Sequence, residues 1–228
     1  GAGVKTAFSA ITGLSISGEA RAQSFGAHRI SVLKVPDPRL KFLATVFQLA
    51  RTVPVAIQII EFPGLFGEHP DGRSLSRCRE ADALAFVLRS FDSSTLPHSR
   101  GSVDSARDLQ ILEEEVLLAD LGIVETRLVK LEAALQKRKD PDEEQETQVL
   151  RRCRERLESG RPLRGMKFTT WEDRRLRGFG FLSRKPALVL LNIGEEQIER
   201  QQSLLEPFLE NGYSARAICA DIESELVR

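Results

Sequence analysis

The first residues of the chain have the types and spacing of a phosphate-binding loop that runs into a helix. Gly1 and Gly3 are small enough for backbone N–H groups to close around phosphate oxygens. Lys5 supplies a charge that can reach the outer phosphates of a nucleotide, and Thr6 supplies a hydroxyl that can hold Mg²⁺. Val4 stands where the pattern has glycine, and the strand that feeds such a loop would precede residue 1. An ordinary turn leading into a helix is the alternative interpretation.

A second candidate is the sequence Glu-Phe-Pro-Gly at residues 61–64, which follows a predicted strand. Nucleotide hydrolases carry Asp-x-x-Gly at this place: the aspartate orients Mg²⁺ through water, and the glycine N–H contacts the γ-phosphate. We therefore assign Glu61 to the metal and Gly64 to the nucleotide. Glutamate is one methylene longer than aspartate, so its reach to the metal changes. A plain Pro-Gly turn is the alternative.

Asn-Ile-Gly-Glu at residues 192–195 follows another predicted strand, where guanine-specific proteins carry Asn-Lys-x-Asp. The aspartate accepts two hydrogen bonds from guanine, and Glu195 would shift its carboxylate by about 1.5 Å, more than such a bidentate contact tolerates. Ile193 replaces the lysine that lies along the base. Asn192 could still read the N6 and N7 edge of adenine. The alternative is an Asn-x-Gly turn before a helix.

His98 is the candidate for positioning the attacking water. It lies in a predicted loop, Leu-Pro-His-Ser-Arg-Gly at residues 96–101. Hydrolases of this kind often orient water with a glutamine after the Gly64 position, but Leu65 and Phe66 follow here. His98 is the residue with suitable acid–base chemistry for that role. A histidine in a solvent-exposed loop is the alternative.

Composition excludes several other classes of protein. The 228 residues contain 33 Lys and Arg against 33 Asp and Glu, so no net charge favours nucleic acid or an acidic membrane surface. The three cysteines are far apart, which argues against a disulfide framework or a zinc site and favours a reducing compartment. No apolar run approaches the roughly 18 residues of a membrane span, and no secretory leader opens the chain. We expect a cytoplasmic protein with no membrane partner.

The elements that must position these residues alternate between strands and helices. Apolar runs predict strands at residues 30–35, 53–62, 82–89, 186–191 and 215–219. Helical spacing falls between them, as over residues 198–209. This order predicts an α/β fold with a mainly parallel sheet flanked by helices. The direction of the first two strands relative to each other is left open by the pattern.

A helical hairpin is predicted between the third and fourth strands. Leucine and valine recur there at intervals of four and three, the spacing of a coiled-coil seam, at Leu117, Leu121, Val124, Leu128, Leu131 and Leu135. Asp140-Pro141 ends that helix and a second one returns, which predicts an antiparallel pair. The basic runs at residues 137–139 and 151–156 favour a solvated exterior, with a nucleic-acid patch as the alternative.

Several stretches together resemble the Obg-like ATPase (YchF) family of P-loop NTPases. They are Val-Pro-Asp-Pro-Arg-Leu at 35–40, Val-Pro-Val-Ala-Ile at 53–57, residues 101–111, Glu-Glu-Val-Leu-Leu-Ala-Asp-Leu at 114–121, Lys-Pro at 185–186, Asn192 with Glu195, and residues 218–226. Their order and spacing match along nearly the whole chain. The combination is far more specific than any one motif.

The resemblance implies a P-loop G-domain in two parts, residues 1–116 and 169–228, interrupted by a coiled-coil insertion at residues 117–168. It implies Mg²⁺ as cofactor, ATP in preference to GTP as nucleotide, and association with ribosomes. RNA contact through the coiled-coil face is a further expectation. It also implies a catalytic role for His98, because the family's histidine loop matches residues 97–99. In the family a small β-rich TGS domain follows, and it is not found in these residues.

The departures from the family pattern occur at residues that would bind the metal or the nucleotide. Either Val4 replaces a glycine or the loop is displaced by one residue. Glu61 replaces an aspartate, and Cys219-Ala220-Asp221 stands where the family has Ser-Ala-Lys near the base. The family's nucleotide-sensing loop has no clear counterpart between residues 15 and 30. We expect a divergent purine-nucleotide-binding protein with weakened hydrolysis. The alternative is a degenerate, non-hydrolysing scaffold that binds protein or RNA.

Overall fold

The computed structural model describes residues 2–13, 29–62, 77–93, 95–98 and 100–226. Two of the residues predicted to bind nucleotide, Gly1 and Gly64, lie outside these ranges. Their roles therefore stay predictions, as does the absence of a nucleotide-sensing loop between residues 15 and 30.

The helices described in full are α1 (Val4–Thr12), α2 (Pro38–Val46), α3 (Ser105–Leu135), α4 (Pro141–Glu158), α5 (Thr170–Arg177), α6 (Gln201–Glu210) and α7 (Ala220–Leu226). The described strands are β1 (Ile30–Lys34), β2 (Ala56–Ile60), β3 (Leu84–Arg89), β4 (Ala187–Asn192) and β5 (Ser214–Ile218). Short 3-10 helices lie at Leu163–Gly165, Leu182–Arg184 and Glu195–Arg200. The helix predicted at residues 198–209 is thus divided between a 3-10 helix and α6.

The main sheet is parallel, with β4 between β3 and β5. Its register places Arg89 beside Asn192, and Asn192 beside Ile218, so the carboxyl ends of the three strands meet at one edge. Val189, Leu190 and Leu191 in β4 are all buried, so both faces of this central strand are covered. The carboxyl edge of such a sheet is where α/β proteins bind ligands.

β1 and β2 form a separate antiparallel pair, which settles the direction that the sequence left open. Ile30 lies opposite Ile60 and Lys34 opposite Ala56. Both strands are shorter than predicted, and β1 ends before Pro36, which has no N–H to donate to a neighbouring strand. Three parallel strands and this pair confirm the predicted α/β class.

The hairpin predicted after the third strand is formed by α3 and α4. α3 has 31 residues, which makes it about 46 Å long at the rise of an α-helix. Residues 136–140 connect it to α4, and the N-cap Asp140 accepts hydrogen bonds from the N–H groups of Asp142 and Glu143. Neither helix, nor any other in the described ranges, is long and apolar enough to cross a bilayer. A supercoiled seam stays a prediction.

Two apolar clusters meet along α3. Leu109 and Val116 pack with the parallel sheet, whereas Leu117 and the buried residues after it pack with α4. The change of cluster between residues 116 and 117 coincides with the predicted domain boundary, although α3 itself continues through it. The division into domains stays a prediction.

Asp120 joins the hairpin to the sheet. It lies in α3 with no exposed surface, and its carboxylate accepts hydrogen bonds from the N–H groups of Leu182 and Ser183 at 3.0 and 2.7 Å. Arg79 also donates to it at 2.7 Å. These N–H groups open the 3-10 helix that leads into β4, so Asp120 fixes the strand that carries Asn192 at its end.

Candidate functional site

Gly3 forms the N-cap of α1 in the left-handed region, with φ 76°. A side chain is disfavoured there for two reasons: the backbone conformation suits glycine, and a Cβ at position 3 would overlap Nδ2 of Asn192. The first helical bond runs from the Ala7 N–H to the Gly3 carbonyl, at 2.8 Å. The N–H groups of Val4, Lys5 and Thr6 precede that bond, so they have no partner within the helix and can serve an anion.

Asn192 connects this loop with the start of α7. Its side chain is buried; Nδ2 donates to the Ala2 carbonyl at 3.2 Å, and Oδ1 accepts from the Ala220 N–H at 3.1 Å. The predicted residues Gly3, Asn192 and Ala220 are therefore brought together at the carboxyl edge of the sheet. The two bonds leave one N–H and one lone pair of the Asn192 amide for a ligand.

The other residues predicted near the base are placed differently. Ile193 is buried and its N–H donates to the Ile218 carbonyl, so it belongs to the sheet's apolar cluster. Glu195 is exposed at the start of a 3-10 helix, and Cys219 is half-buried just before α7. Their roles toward a base stay predictions.

Gln197 was not predicted as a site residue but fixes this loop. Its Oε1 accepts from the Gly194 N–H at 2.8 Å, and its Nε2 donates to the Ser90 carbonyl at 2.9 Å. The side chain thus joins the loop after β4 to the loop after β3. The spacing of three residues from Gly194 to Gln197, typical of a capping box, is the signal that could have indicated it.

The phosphate-loop residues lie on the first turn of α1. Lys5 is exposed, whereas Val4 and Thr6 are half-buried. The Lys5 carbonyl accepts a hydrogen bond from Arg29 at 3.0 Å. The valine in place of glycine is therefore accommodated as the first residue of the helix, directly after the left-handed Gly3.

Glu61, predicted to orient Mg²⁺, is paired with Arg29. Arg29 Nε donates to Glu61 Oε2 at 2.5 Å, and the carboxylate is almost fully buried. Oε1 has no hydrogen-bond partner among the described residues. Arg29 therefore occupies one carboxylate oxygen and leaves the other without a partner in the described ranges, and the roles of Glu61 and Thr6 toward Mg²⁺ stay predictions. The pairing of β1 with β2 places Arg29 opposite Glu61. This register cannot be read from the sequence, so the ion pair could not be predicted.

His98 is held in place by the protein and is not a freely exposed loop residue. Its Nε2 lies 2.9 Å from Asp108 Oδ2, and its Nδ1 accepts from the Arg100 N–H at 3.2 Å. Because Nδ1 accepts, the ring hydrogen is on Nε2 and points at Asp108. In this arrangement neither nitrogen is available to take a proton from water.

Arg89 anchors the loop that carries His98. It ends β3 with 2% of its surface exposed, and its guanidinium donates to the carbonyls of Phe91 and Leu96 at 2.9 and 2.8 Å. It also lies 4.6 Å from the centre of the Phe91 ring. Two backbone bonds and a cation–π contact therefore hold both sides of the loop.

The described residues give little support for cysteine-based or metal-based chemistry. Burial raises the pKa of the Cys78 and Cys153 thiols to about 11, so both are poor nucleophiles and metal ligands. No group of three or more His, Cys, Asp or Glu residues that could hold a metal occurs in the ranges that the structure describes.

The hairpin's basic runs are largely neutralised by carboxylates. The pairs are Arg138 with Glu143, Arg151 with Glu132, Arg152 with Glu172 and Arg154 with Glu158. Such pairing is typical of a solvated helical exterior, the interpretation favoured from the sequence. Lys137 and Lys139 are exposed in the connection between α3 and α4.

A helix N-terminus at the carboxyl edge of a parallel sheet is the arrangement in which P-loop NTPase G-domains, among other α/β proteins, bind phosphate. The fold matches the YchF GTPase of Schizosaccharomyces pombe with a TM-score of 0.79 and 24% identity, over 99% of this chain and 64% of that one. In sequence, the chain is 29% identical to the ribosome-binding ATPase YchF of Bacillus subtilis over 208 residues. It is 27% identical to Obg-like ATPase 1 of rice over 210 residues. No protein-family profile matches it.

These comparisons confirm the resemblance: the chain is homologous to the YchF and Obg-like ATPase proteins. The matches include 86% of this chain for the Bacillus protein and 90% for the rice protein. They cover only 57% and 53% of those relatives, so the chain spans about half the length of the curated relatives it matches.

Proposed function

We propose that this chain is a purine-nucleotide-binding P-loop domain that takes ATP or GTP at the carboxyl edge of its parallel sheet. The bridge made by Asn192 between Ala2 and Ala220 is the observation that carries the proposal. It holds the phosphate loop against the loop predicted to meet the base, so one nucleotide can span both. The relatives named as ATPases and a GTPase support the same class of ligand.

Phosphate binding follows from the start of α1. Three N–H groups without helical partners, the positive end of the helix dipole and the exposed Lys5 act on the same anion. Each supplies positive charge or a donor without moving the backbone. Because Lys5 lies in the first turn of α1, its substitution tests the proposed phosphate site.

The test is isothermal titration of the wild-type chain with ATP and with GTP. We expect saturable binding of at least one, and Lys5→Ala should weaken it by about tenfold or more through loss of one charge-assisted contact. Lys41→Ala is the matched control, since Lys41 is an exposed lysine of α2. Absence of heat with both nucleotides would overturn the function and leave a non-hydrolysing adaptor.

The second part of the proposal is nucleotide hydrolysis, in which His98 positions the attacking water. Since its ring nitrogens are engaged by Asp108 and Arg100, turnover requires the ring to leave Asp108 first. We expect slow hydrolysis, a loss of turnover in His98→Ala without a change in nucleotide affinity, and faster turnover in Asp108→Ala. An unchanged rate in His98→Ala would remove His98 from the mechanism.

We further propose that the domain acts in the cytoplasm on the ribosome, through the exposed end of the hairpin around Lys137 and Lys139. The relatives named as ribosome-binding support this partner. Co-sedimentation with ribosomes should weaken steeply with salt if RNA phosphates are contacted. The double variant Lys137→Glu/Lys139→Glu should lose binding, whereas Lys34→Glu/Lys41→Glu, the same charge change on exposed residues elsewhere, should retain it.

A further inference from the structure

Gly122 lies in the middle of α3, where the fold gives no reason for a glycine. Glycine inside a helix is less stable than alanine because its backbone loses more freedom on folding. A Cβ added at this position would meet no atom within 4 Å, and the backbone there is helical. Neither backbone conformation nor close packing inside the chain therefore requires a glycine. The missing side chain instead leaves a gap on the surface of α3.

This gap belongs to a surface cavity of about 290 Å³ that is open to solvent. The cavity is lined mainly by apolar groups, from Gly122, Ile123, Thr126, Arg127 and Lys130 of α3 and from Phe179, which follows α5. The Phe179 ring is stacked on that of the buried Phe181, with the ring centres 5.2 Å apart. This stacking holds one wall of the cavity in place. The cavity is therefore shaped by the fold and not by a freely moving side chain.

Exposed apolar side chains adjoin the cavity on α3. Leu118 and Val129 are 64% and 67% exposed. They lie four residues before and seven residues after Gly122, which places all three on the same face of the helix. The Thr126 hydroxyl donates to the Gly122 carbonyl at 2.7 Å, so it is already satisfied within the helix. A cavity that adjoins exposed apolar residues indicates an interaction surface.

The charge around the cavity is positive. Arg127 donates to both oxygens of Glu146, at 2.6 and 3.1 Å, and Arg175 donates to one of them at 2.9 Å. Two guanidinium groups thus share one carboxylate. Lys130 is exposed and forms no ion pair with the residues that the structure describes. Three cations against one anion leave an excess of positive charge, which favours a negatively charged partner.

We propose that this surface docks an acidic peptide segment of a protein partner, with one apolar side chain of that segment in the cavity beside Phe179 and its carboxylates on Lys130 and Arg127. The cavity is slightly smaller than the roughly 300–1,000 Å³ of small-molecule sites, so it fits one anchoring side chain better than a whole ligand. An RNA phosphate would use the two cations but would gain nothing from the apolar cavity or from Leu118 and Val129. The proposal does not rest on nucleotide binding.

The experiment follows the amide NMR signals of the ¹⁵N-labelled chain during titration with two synthetic peptides. The probe is acetyl-Glu-Glu-Phe-Glu-Glu-amide, and its control has alanine in place of phenylalanine. We expect the signals of Gly122 and Thr126 to shift saturably with the probe. The control peptide should bind about tenfold or more weakly, because it lacks the side chain that fills the cavity.

Two substitutions separate the cavity from the charge. Gly122→Leu should fill the cavity and weaken binding of the probe by about tenfold or more, while thermal unfolding shows a chain at least as stable as wild type. Gly122→Ala is the matched control: it gives a similar gain in helix stability, leaves most of the cavity open and should keep affinity within about threefold. Lys130→Glu should weaken binding by about tenfold or more, whereas Lys41→Glu, the same change on an exposed lysine of α2, should not.

Three results would overturn the proposal. Equal binding of the two peptides, or unchanged binding in Gly122→Leu, would show that the cavity is not the anchor site. Displacement of the probe by oligouridylate, with an affinity that falls steeply with salt, would assign the surface to RNA instead. Absence of any shift at Gly122 with the probe at millimolar concentration would exclude an acidic peptide. Each of these results is independent of whether the chain binds ATP or GTP.

Discussion

The side chain of Asn192 occupies the space that any side chain at Gly3 would need. The two residues lie 189 positions apart in sequence (192 − 3), yet a Cβ on Gly3 would overlap the Asn192 amide nitrogen. This contact explains why the loop ahead of α1 keeps a glycine at its N-cap, where serine, threonine, asparagine and aspartate are the usual residues. It also joins the loop ahead of α1 to the loop after β4.

Replacing Gly3 by alanine should therefore lower the free energy of unfolding by more than the strain of the left-handed backbone conformation alone. The left-handed φ accounts for about 1–2 kcal/mol, and displacement of the Asn192 amide should add about 1–3 kcal/mol. Gly160→Ala is the matched control, because Gly160 has φ 71° and open space around its Cβ position. Urea unfolding of both variants measures the difference. Equal losses would show that Asn192 moves aside freely.

Much of the arrangement at the carboxyl edge of the sheet could be predicted from sequence, because parallel strands end at the same edge. Apolar runs located β3, β4 and β5, and Asn192 is the last residue of β4. The convergence of Gly3, Asn192 and Ala220 follows from that topology. Local signals sufficed for β3 and β4 because each is a largely apolar run bounded by turn residues.

The ion pairs could not be predicted in the same way. Arg29 with Glu61 and His98 with Asp108 depend on strand register and on how a loop packs on α3, neither of which has a local pattern. Motif reasoning therefore assigned Glu61 to a metal. The structure shows a different partner for the same carboxylate, supplied by the neighbouring strand.

Removal of the Asp120 carboxylate should strongly destabilise the chain. Asp120→Ala would leave Arg79 and two buried N–H groups without their acceptor, and losing one partner of a buried pair costs about 3–5 kcal/mol. Denaturant unfolding measures the loss. Asp92→Ala, at an exposed aspartate, should change stability by less than about 0.5 kcal/mol. A small effect at Asp120 would mean that water replaces its bonds.

Arg89→Met should impair turnover without weakening nucleotide binding. Methionine fills similar space but cannot donate to the Phe91 and Leu96 carbonyls, so the loop that carries His98 loses its anchor. We expect a lower kcat with an unchanged Kd for ATP. Arg100→Met, at an exposed arginine of the same loop, should leave both constants unchanged. A parallel change in Kd would indicate that Arg89 supports the whole fold.

The hairpin should lose stability in acid through Glu146. Burial, the largest single influence, raises the pKa of this carboxyl, but the hydrogen bonds and charges of Arg127 and Arg175 together outweigh it and lower the pKa below its ordinary 4.5. A carboxyl with a lowered pKa in the folded state binds fewer protons than in the unfolded state. Its stabilisation is therefore present above about pH 4.5 and is lost as pH falls through the lower folded value.

Glu146→Gln should remove this dependence. The variant should be less stable than wild type at neutral pH, because glutamine cannot accept charge-assisted bonds from both Arg127 and Arg175. The difference should shrink as pH falls below about 4.5, because Glu146 then becomes protonated first in the unfolded chain and, at the lower folded pKa, in the folded wild type. Glu125→Gln, at an exposed glutamate in the middle of α3, should follow wild type at every pH. Urea unfolding across the pH range measures both, and a difference that stays constant with pH would contradict the assignment to Glu146.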